Sequence, residues 1–436
     1  MMDQIILNFR AQLGCADHPS LPSPGKRHEY IREGHNPYVT WGVLDPNSPV
    51  FFDRRQELQK VLDVLSRTNK PGNVSLLGER RFGKSSFLDQ VYGALAAEPN
   101  LLSIFAATQD WTNARPESFF GGLHLAILSA LEGTRYVSQQ TQRTKVKGKV
   151  NAAIRDYEGL RSFIKPLAEQ GIRFVLILDE FTGIAKIKEF DTNFYSNLRI
   201  LGERAEYRFG YLISSGKPLN ELCPDALEST PFWGIFRVEY LGLLNEQDAR
   251  DLVIEPLIRS LPESRQPDLE NLWARDIAPL TGCHPALIQM VLAQRWCSWF
   301  ENWESNQDQL EVGLRGYLEA LWTDRRDDEQ TLLFLAATGQ VLDDSEITRD
   351  LRLRGLVTAD HHPLSPLFTR VILELAPPAK RFAETAKRLQ VNGKRASETL
   401  DAVLDALEKA ARRIGLIWKS FKNAMPAGED PKDGEK

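Results

Sequence analysis

The segment that most restricts the fold of this chain is GERRFGKS at positions 78 to 85, which fits the pattern G-x-x-x-x-G-K-[ST]. It stands directly after the apolar run NVSLLG and directly before the helical pattern SSFLDQVYGAL. Glycines let backbone N–H groups turn towards a phosphate, and the helix N-terminus adds its dipole. The sequence therefore predicts a strand, a phosphate-binding loop (the P-loop) and a helix in that order.

Five short apolar runs lie in the first part of the chain, at 73–78, 101–108, 173–180, 208–215 and 236–241. Most are continuous rather than alternating, which is typical of strands buried on both faces. Helical patterns such as residues 119–131 separate several of them. This alternation predicts an α/β fold in which crossover helices cover both faces of a parallel sheet.

The length of 436 residues predicts two or three domains. Strand patterns end near residue 243, and helical patterns follow. The predicted segments are an N-terminal arm (1–50), a P-loop ATPase core (51–243), a helical lid (244–305), a winged-helix domain (306–377), an amphipathic helical segment (378–424) and a disordered tail (425–436).

Composition excludes little. The formal net charge of -5 gives no general attraction to nucleic acid, so any such contact needs a local basic patch. The four cysteines are far apart and show no metal or redox spacing, which predicts reduced thiols. The N-terminus lacks a secretory signal, and no apolar run approaches the roughly 18 residues of a membrane span. We therefore expect a cytoplasmic protein.

A second motif, FVLILDEF, places Asp179 and Glu180 at the end of an apolar strand. In P-loop enzymes such an aspartate holds the magnesium shell, and the adjacent glutamate orients or deprotonates the attacking water. The predicted Mg²⁺ ligands are Ser85 and Asp179, with Lys84 on the β/γ-phosphates and Glu180 as the catalytic carboxylate. Ser214 ends the next strand, where its hydroxyl either senses the γ-phosphate or simply terminates the strand.

The order of these motifs resembles the AAA-like bacterial STAND ATPases, relatives of archaeal ATPases and of NLR-type switches. The resemblance extends from about Asn36 to Leu375 and includes TPFWGIF, LLNEQDARDLVIEPL and LTGCHPALIQ. It implies an ASCE-type sheet and a nucleotide, ATP or ADP, held between the sheet and the lid. Phe52, Arg54 and Pro285 would contact the adenine side, although Asp53 replaces the glycine usual in FFGR.

The expected nucleotide contacts share a place in the P-loop, the flanking strands or the lid. They are Gly78, Glu79, Arg80, Arg81, Phe82, Gly83, Lys84, Ser85, Ser86, Phe52, Arg54, Ser214 and Pro285. The resemblance also implies that Arg199 reaches a γ-phosphate in its own or a neighbouring subunit. A salt-bridged surface arginine is the alternative. Gly282 and Pro285 equally suit a helix end and a helix start.

The C-terminal part leaves several alternatives open. His361 or His362 either contacts bound ADP or lies in a solvated turn. A basic group formed by Arg349, Arg352 and Arg354 either binds a nucleic-acid backbone or is an ordinary surface. The apolar stripe from Leu400 to Phe421 predicts a helix that contacts a membrane surface, a partner or the body of the protein.

The resemblance implies an ATP/ADP switch that hydrolyses slowly and self-associates or recruits a protein partner, in a defence or signalling complex. One alternative is a DNA-associated AAA ATPase of the origin-recognition or transposition-regulator kind, which uses its winged helix. Another is a nucleotide-binding scaffold without turnover.

Overall fold

The computed structural model describes residues 31–40, 42–44, 48–52, 54–108, 115–132, 154–185, 187, 189–223, 231–301 and 307–375. The predicted C-terminal amphipathic segment, the tail, the first 30 residues of the arm and most of the polar stretch 137–156 lie outside these ranges. Within them, Cys223, Cys283 and Cys297 are free thiols. No helix in these ranges is long and apolar enough to cross a membrane.

The core is a five-stranded parallel sheet in the order β2-β3-β4-β1-β5. Its strands are β1 (Val74–Leu77), β2 (Leu101–Ala107), β3 (Arg173–Asp179), β4 (Phe209–Ser215) and β5 (Arg237–Tyr240). In register, Val74 of β1 lies between Leu212 of β4 and Arg237 of β5. The five predicted strands are therefore present, and β5 at the edge is the one with exposed residues.

Helices cover both faces of the sheet. In the first half of the chain they are α1 (Arg55–Leu65), α2 (Lys84–Leu95), α3 (Pro116–Glu132), α4 (Tyr157–Glu169), α5 (Thr182–Ala185), α6 (Thr192–Glu203) and α7 (Leu219–Leu222). Side chains of β3 alternate between two hydrophobic clusters. Phe174 and Leu176 pack on the side of α3, α4 and α6, whereas Val175 and Ile177 pack on the side of α1 and α2. The sheet is thus sandwiched, as the continuous apolar runs predict.

The later chain is helical. Its helices are α8 (Glu246–Ser260), α9 (Leu269–Asn271), a π-helical stretch (Leu272–Ile277), α10 (Ala278–Thr281), α11 (Pro285–Glu301), α12 (Gln307–Thr323), α13 (Asp327–Ala337), α14 (Glu346–Leu353) and α15 (Pro366–Leu375). Asn245 caps α8 by accepting a hydrogen bond from the Asp248 N–H at 2.9 Å, a role that asparagine often takes at a helix start. Pro285 opens α11, where its missing N–H costs nothing.

Contacts divide the chain into two compact units, Met1–Leu269 with His284–Glu304, and Glu270–Cys283 with Ser305–Lys436. The six segments predicted from the sequence divide the chain more finely and stay predictions. In the second unit, Gly282 ends α10 with φ 55°, and a Cβ there would lie 1.9 Å from the Leu364 carbonyl oxygen. Glycine is required at this helix end on structural grounds.

The second unit also contains a buried ion cluster. Arg354 is 5% exposed, and its Nη1 lies 2.5 Å from Glu329 Oε1 and 2.8 Å from Asp350 Oδ2. Burial alone would raise the pKa of Glu329, but the charge of Arg354 and a backbone N–H lower it overall. Arg354 is therefore a structural residue rather than a surface cation.

A β-bridge joins Val357 to Pro363 before α15, and the winged-helix name for this region stays a prediction.

Candidate functional site

The P-loop joins β1 to α2 at the carboxyl edge of the sheet, where ligands bind in open α/β folds. Gly83 is the N-cap of α2 at φ 89°, a backbone conformation that favours glycine. It supplies no side-chain hydrogen bond to the first N–H groups of the helix, which have no carbonyl partner within an α-helix. The helix therefore presents an uncapped positive end, the arrangement that binds phosphate.

Lys84 begins α2 and extends back across the loop. Its Nζ donates a hydrogen bond to the Glu79 carbonyl at 2.9 Å and lies 3.9 Å from Glu180 Oε1. The residue is 5% exposed. Burial lowers the pKa of the ammonium group, while the carboxylates of Glu180, Glu79 and Asp179 oppose that shift. The site thus holds a desolvated cation beside the loop.

Hydroxyl groups on both neighbouring strands position the Asp-Glu pair at the end of β3. Ser214 Oγ donates to Asp179 Oδ1 at 2.5 Å and accepts from the Glu180 N–H at 3.0 Å. Thr108 Oγ1 lies 2.6 Å and 2.9 Å from the carbonyl oxygens of Asp179 and Glu180. Glu180 has φ 57°, an uncommon conformation for a residue with a side chain. The hydrogen bonds on both sides hold this conformation in place.

A cavity of about 390 Å³ opens beside the loop, within the size range of small-molecule sites. All of its lining residues belong to the first unit. They are Val39, Thr40, Gly42, Val43, Leu44, Val50, Phe51, Phe52, Arg54, Arg80, Arg81, Phe82, Gly83, Lys84, Ser85, Ser86, Glu180, Leu244, Leu252, Pro285, Ala286 and Gln289.

The cavity has two chemically different ends. We call residues 80–86 with Glu180 the phosphate end, because the cations and the uncapped helix lie there. The apolar end consists of the remaining lining residues. They lie on the strap, which we define as residues 36–40 and 42–44 of the predicted arm, at 50–52 and 54, at Leu244, on α8 and on α11. Four side chains of the apolar end, Val50, Phe51, Leu244 and Leu252, are aliphatic or aromatic and largely buried.

The strap is fixed to three helices of the first unit. Tyr38 Oη donates to the Val253 carbonyl of α8 at 2.9 Å, and burial raises the pKa of this phenol well above its usual value. The Val39 N–H donates to Gln289 Oε1 of α11 at 3.1 Å. The Leu44 N–H donates to Ser86 Oγ of α2 at 2.9 Å. The strap therefore crosses from the helices at the apolar end to the P-loop helix.

Arg54 also stabilises the apolar end of the cavity. It is 5% exposed, and its Nη2 and Nη1 donate to the carbonyls of Gly242 and Leu243 at 2.6 Å and 3.2 Å. Glu57 lies 3.7 Å from Nη1. Hydrogen bonds from a charged group to buried carbonyls stabilise a fold by about 1.5–3 kcal/mol each. Arg54 thereby fixes the start of α1 to the segment that leads into α8.

His284 connects the phosphate end to α11. Its ring stacks edge-on against Phe82 of the P-loop, with centroids 4.3 Å apart, and its Nδ1 accepts from the Leu287 N–H at 3.3 Å. Burial lowers the pKa of this imidazole from 6.5 to about 3, and the positive charges of Arg54 and Arg81 add to the shift. The ring is therefore neutral near pH 7. Arg81 also contacts α11, with Nη1 3.7 Å from Met290 Sδ.

The structure brings most of the residues predicted from the sequence to one cavity, but not all of them. The predicted contacts that do not line it are Gly78, Glu79, Asp179, Ser214 and Arg199. Gly78 packs against the backbone that directly follows β5, since a Cβ at position 78 would lie 2.7 Å from the Leu241 carbonyl oxygen. Ser214 is fully buried and bonds Asp179. Their assigned roles in binding stay predictions.

Arg199 lies on α6, away from this cavity. Its guanidinium pairs with the carboxylate of Glu203 one turn later, with Nε to Oε2 at 3.1 Å and Nη2 to Oε1 at 3.1 Å. This is the salt-bridged surface arginine that the sequence left as the alternative. A γ-phosphate role for Arg199 would require the neighbouring-subunit arrangement.

Several residues of the site and of its supports were missed in the sequence. Thr108 carried a usable signal, because it follows a predicted strand next to the strand of Asp179. The strap residues and Gln289 carried none, because the strap shows no periodicity and Gln289 lies within an ordinary helical pattern. Their place depends on contacts between segments about 250 residues apart.

The donor set also fits a magnesium–nucleotide complex. Mg²⁺ takes oxygen ligands, keeps several waters and needs only one or two protein groups when phosphates complete its shell. Ser85 lines the cavity, and the oriented Asp179 carboxylate lies next to Glu180. The described residues contain no group of three acidic, His or Cys side chains that forms a metal site alone. A site shared with phosphates is the arrangement that these residues fit.

Comparisons with known proteins agree with the motifs. The family model described as Novel STAND NTPase 2 matches residues 142–342, which include the Asp-Glu pair and the start of α11. A Walker-type ATPase of Pyrococcus abyssi has the same fold, with a TM-score of 0.52 and 14% identity over 77% of this chain and 99% of that one. No curated protein matches the chain.

Other solved structures are more distant. Cdc6p from Pyrobaculum aerophilum matches with a TM-score of 0.40 and 15% identity over 75% of this chain and 97% of that one. The Aeropyrum pernix ORC2 protein matches with a TM-score of 0.42 and 13% identity over 83% and 95% of the two chains. The P-loop, the strand order and the fold shared with the Pyrococcus abyssi protein show a P-loop ATPase fold, and residues 142–342 are similar to the Novel STAND NTPase 2 family.

Proposed function

We propose that this chain binds ATP and ADP with Mg²⁺ in the cavity and hydrolyses ATP slowly, as the timer of a conformational switch. The observation that carries the proposal is the meeting of Lys84 and Glu180 at one end of a cavity whose other end is apolar. A nucleotide has the same division of charge. Its phosphates match the cations and the uncapped α2, and its base matches the apolar side chains.

Hydrolysis follows from the chemistry of the phosphate end. Lys84 neutralises charge on the β- and γ-phosphate oxygens, and the first N–H groups of α2 donate to them. A magnesium ion held by Ser85 and Asp179 would supply further charge neutralisation. Glu180, with its carboxylate partly exposed, orients a water molecule and accepts its proton. Thr108 and Ser214 keep Glu180 in the conformation that this role requires.

A switch is the use of ATP that the surroundings of the cavity favour. The strap is joined to α8, α11 and the P-loop helix around the cavity by a few hydrogen bonds. A ligand that fills the cavity contacts all of them and shifts their relative stability. The changed surface would then recruit a protein partner or a second copy of the chain, in a defence or signalling complex.

Phosphate release from ATP by the purified chain tests hydrolysis. General-base catalysis contributes 10²–10⁴-fold, so Glu180→Gln is expected to lower turnover at least ~100-fold while ATP affinity changes less than ~3-fold. Glu189→Gln, at an exposed position, is the matched control. Equal turnover in the Glu180 variant and the wild type would contradict the catalytic role.

The switch is tested by the mass of the particle in ADP and in a non-hydrolysable ATP analogue, with hydrogen exchange of the strap measured in both states. We expect at least one of the two to differ between the nucleotides. Identical mass together with identical exchange would leave a nucleotide-binding protein without a switch.

A further inference from the structure

Gln289 is a buried amide at the apolar end of the cavity. It lies one helical turn after Pro285 on α11, so the two residues share the face that lines the cavity. Gln289 is 5% exposed. It is the one amide side chain among the described lining residues, and its neighbours on that wall are largely apolar.

The strap fixes the orientation of this amide. The Val39 N–H lies 3.1 Å from Gln289 Oε1, and an N–H can be met only by the oxygen of the amide. The Nε2 group is therefore turned away from the strap. Because the amide oxygen already accepts from the Val39 N–H, Gln289 presents its Nε2 donor, and not an acceptor, to a ligand in the cavity.

The Nε2 group has no hydrogen-bond partner in the described part of the chain, and it is not sealed from the solvent space of the cavity. Buried polar groups are nearly always hydrogen-bonded, because leaving one unpaired costs free energy. A donor that is held in place, 95% buried as a residue and unpartnered is poised for a ligand acceptor.

The part of the nucleotide that reaches this donor follows from the two ends of the cavity. Phosphates are bound at Lys84 and at the start of α2. Val50, Leu244 and Leu252 line the other end and suit a flat, apolar base rather than a charged group. An adenine ring offers unprotonated ring nitrogens as acceptors at its edge.

From these observations, and resting on the proposed nucleotide binding, we infer that Gln289 Nε2 donates a hydrogen bond to a ring nitrogen of the adenine base. Gln289 is in this sense a specificity residue, which the strap orients through the Val39 N–H. Formation of this bond makes the position of the strap depend on the base as well as on the phosphates.

Atom-by-atom changes on both sides of the bond test this inference. Affinities of ATP and of 1-deaza-, 3-deaza- and 7-deaza-ATP are measured for the wild type, Gln289→Met and Gln289→Glu. One analogue is expected to bind the wild type about 10-fold more weakly than ATP. Gln289→Met, which has similar volume and no donor, binds ATP about 10-fold more weakly and does not distinguish that analogue from ATP.

Gln289→Glu distinguishes a role of Gln289 in recognising the base from a role in holding the strap. A carboxylate still accepts the Val39 N–H but has no donor, so discrimination between ATP and the one analogue is expected to vanish here too. If Gln289 only held the strap, Gln289→Glu would keep the wild-type pattern, and this outcome overturns the inference. Equal losses for the analogues in wild type and variants also overturn it.

Failure of the proposed function gives a different result. Wild-type protein that binds neither ATP nor inorganic tripolyphosphate contradicts nucleotide binding altogether and this inference with it. Wild-type protein whose ATP binding depends on Lys84, but whose affinity for every deaza analogue follows that for ATP, keeps nucleotide binding and refutes only the role of Gln289. Circular dichroism of each variant confirms that it is folded before its affinities are compared.

Discussion

The two ends of the cavity are built in opposite ways. The phosphate end comes from one continuous loop and helix start, residues 80–86, together with Glu180 at the end of a neighbouring strand. Its geometry is set by local backbone conformation, such as φ 89° at Gly83. Four separate stretches make the apolar end: the strap, residues 50–52 with Arg54, α8 with the preceding Leu244, and α11.

This difference indicates which end of the cavity is rigid and which end changes when a ligand binds. A loop held by its own strand and helix has its shape before a ligand arrives, which favours tight phosphate binding. An end assembled from a few hydrogen bonds between distant segments is ordered by the ligand that fills it. We therefore assign phosphate affinity to the first end, and discrimination and conformational response to the second.

Acid should destabilise the packing of His284 against Phe82, the contact that joins the two ends of the cavity. The pKa of His284 is about 3 in the folded chain and 6.5 when unfolded, so its stabilisation is complete above pH 6.5 and is lost as the pH falls towards 3. The difference between 6.5 and about 3 corresponds to about 5 kcal/mol. Urea unfolding at pH 7 and pH 4 measures the loss.

Other groups also titrate in this range, so the informative quantity is the difference between two proteins. In His284→Gln, which cannot titrate, the free energy of unfolding should fall by about 3 kcal/mol less between pH 7 and pH 4 than in the wild type. Equal pH dependence in the two proteins would show that His284 is not buried as a neutral ring.

Lys84→Ala should affect the phosphate end alone. Losing a charge-assisted contact to phosphate oxygens from a desolvated position is worth about 3 kcal/mol, or at least ~100-fold in affinity. Titration calorimetry should show this loss for ATP and for tripolyphosphate alike. Lys165→Ala, at an exposed position on α4, serves as control and should bind both ligands normally. A loss restricted to ATP would place Lys84 elsewhere on the nucleotide.

Arg54→Met should loosen the apolar end in the absence of any ligand. The change leaves the carbonyls of Gly242 and Leu243 without their charged donor, so we expect the free energy of unfolding to drop by about 3 kcal/mol. Denaturation in urea measures it. Lys60→Met, exposed on the same helix, should change stability by less than about 0.5 kcal/mol. A drop no larger than that of the control would contradict the supporting role of Arg54.

Val43→Ala should have the smallest effect on ligand affinity. It should weaken binding at the apolar end without weakening binding at the phosphate end. Val43 lines the apolar end and is 55% exposed, so its removal should weaken ATP binding about 3-fold. Tripolyphosphate should bind with unchanged affinity. Val312→Ala, at a 70% exposed position of the second unit, is the matched control. Equal weakening of both ligands would mean that the strap influences the phosphate end.

Prediction from the sequence succeeded where structure is local. The five strands and the start of α11 at Pro285 follow from periodicity and from the chemistry of single positions. The P-loop was recognisable because its glycines and its lysine must stand at fixed spacing. Fold class and phosphate end were therefore predictable together.

The apolar end was not predictable for a physical reason. Val39 and Gln289 are brought together by tertiary packing over 250 positions, and neither has a neighbour in sequence that marks the contact. The same holds for Phe82 and His284. Ser214 was noticed as a polar strand end, but its bond to Asp179 depends on the strand order, which the sequence does not specify.

The central claim is that one nucleotide occupies both ends of the cavity at once. Amide hydrogen exchange in ATP with Mg²⁺, compared with tripolyphosphate with Mg²⁺, tests it most directly. We predict that ATP slows exchange in residues 80–86 and in the strap, whereas tripolyphosphate slows it in residues 80–86 alone. Protection of residues 80–86 by ATP without any protection of the strap would contradict the account.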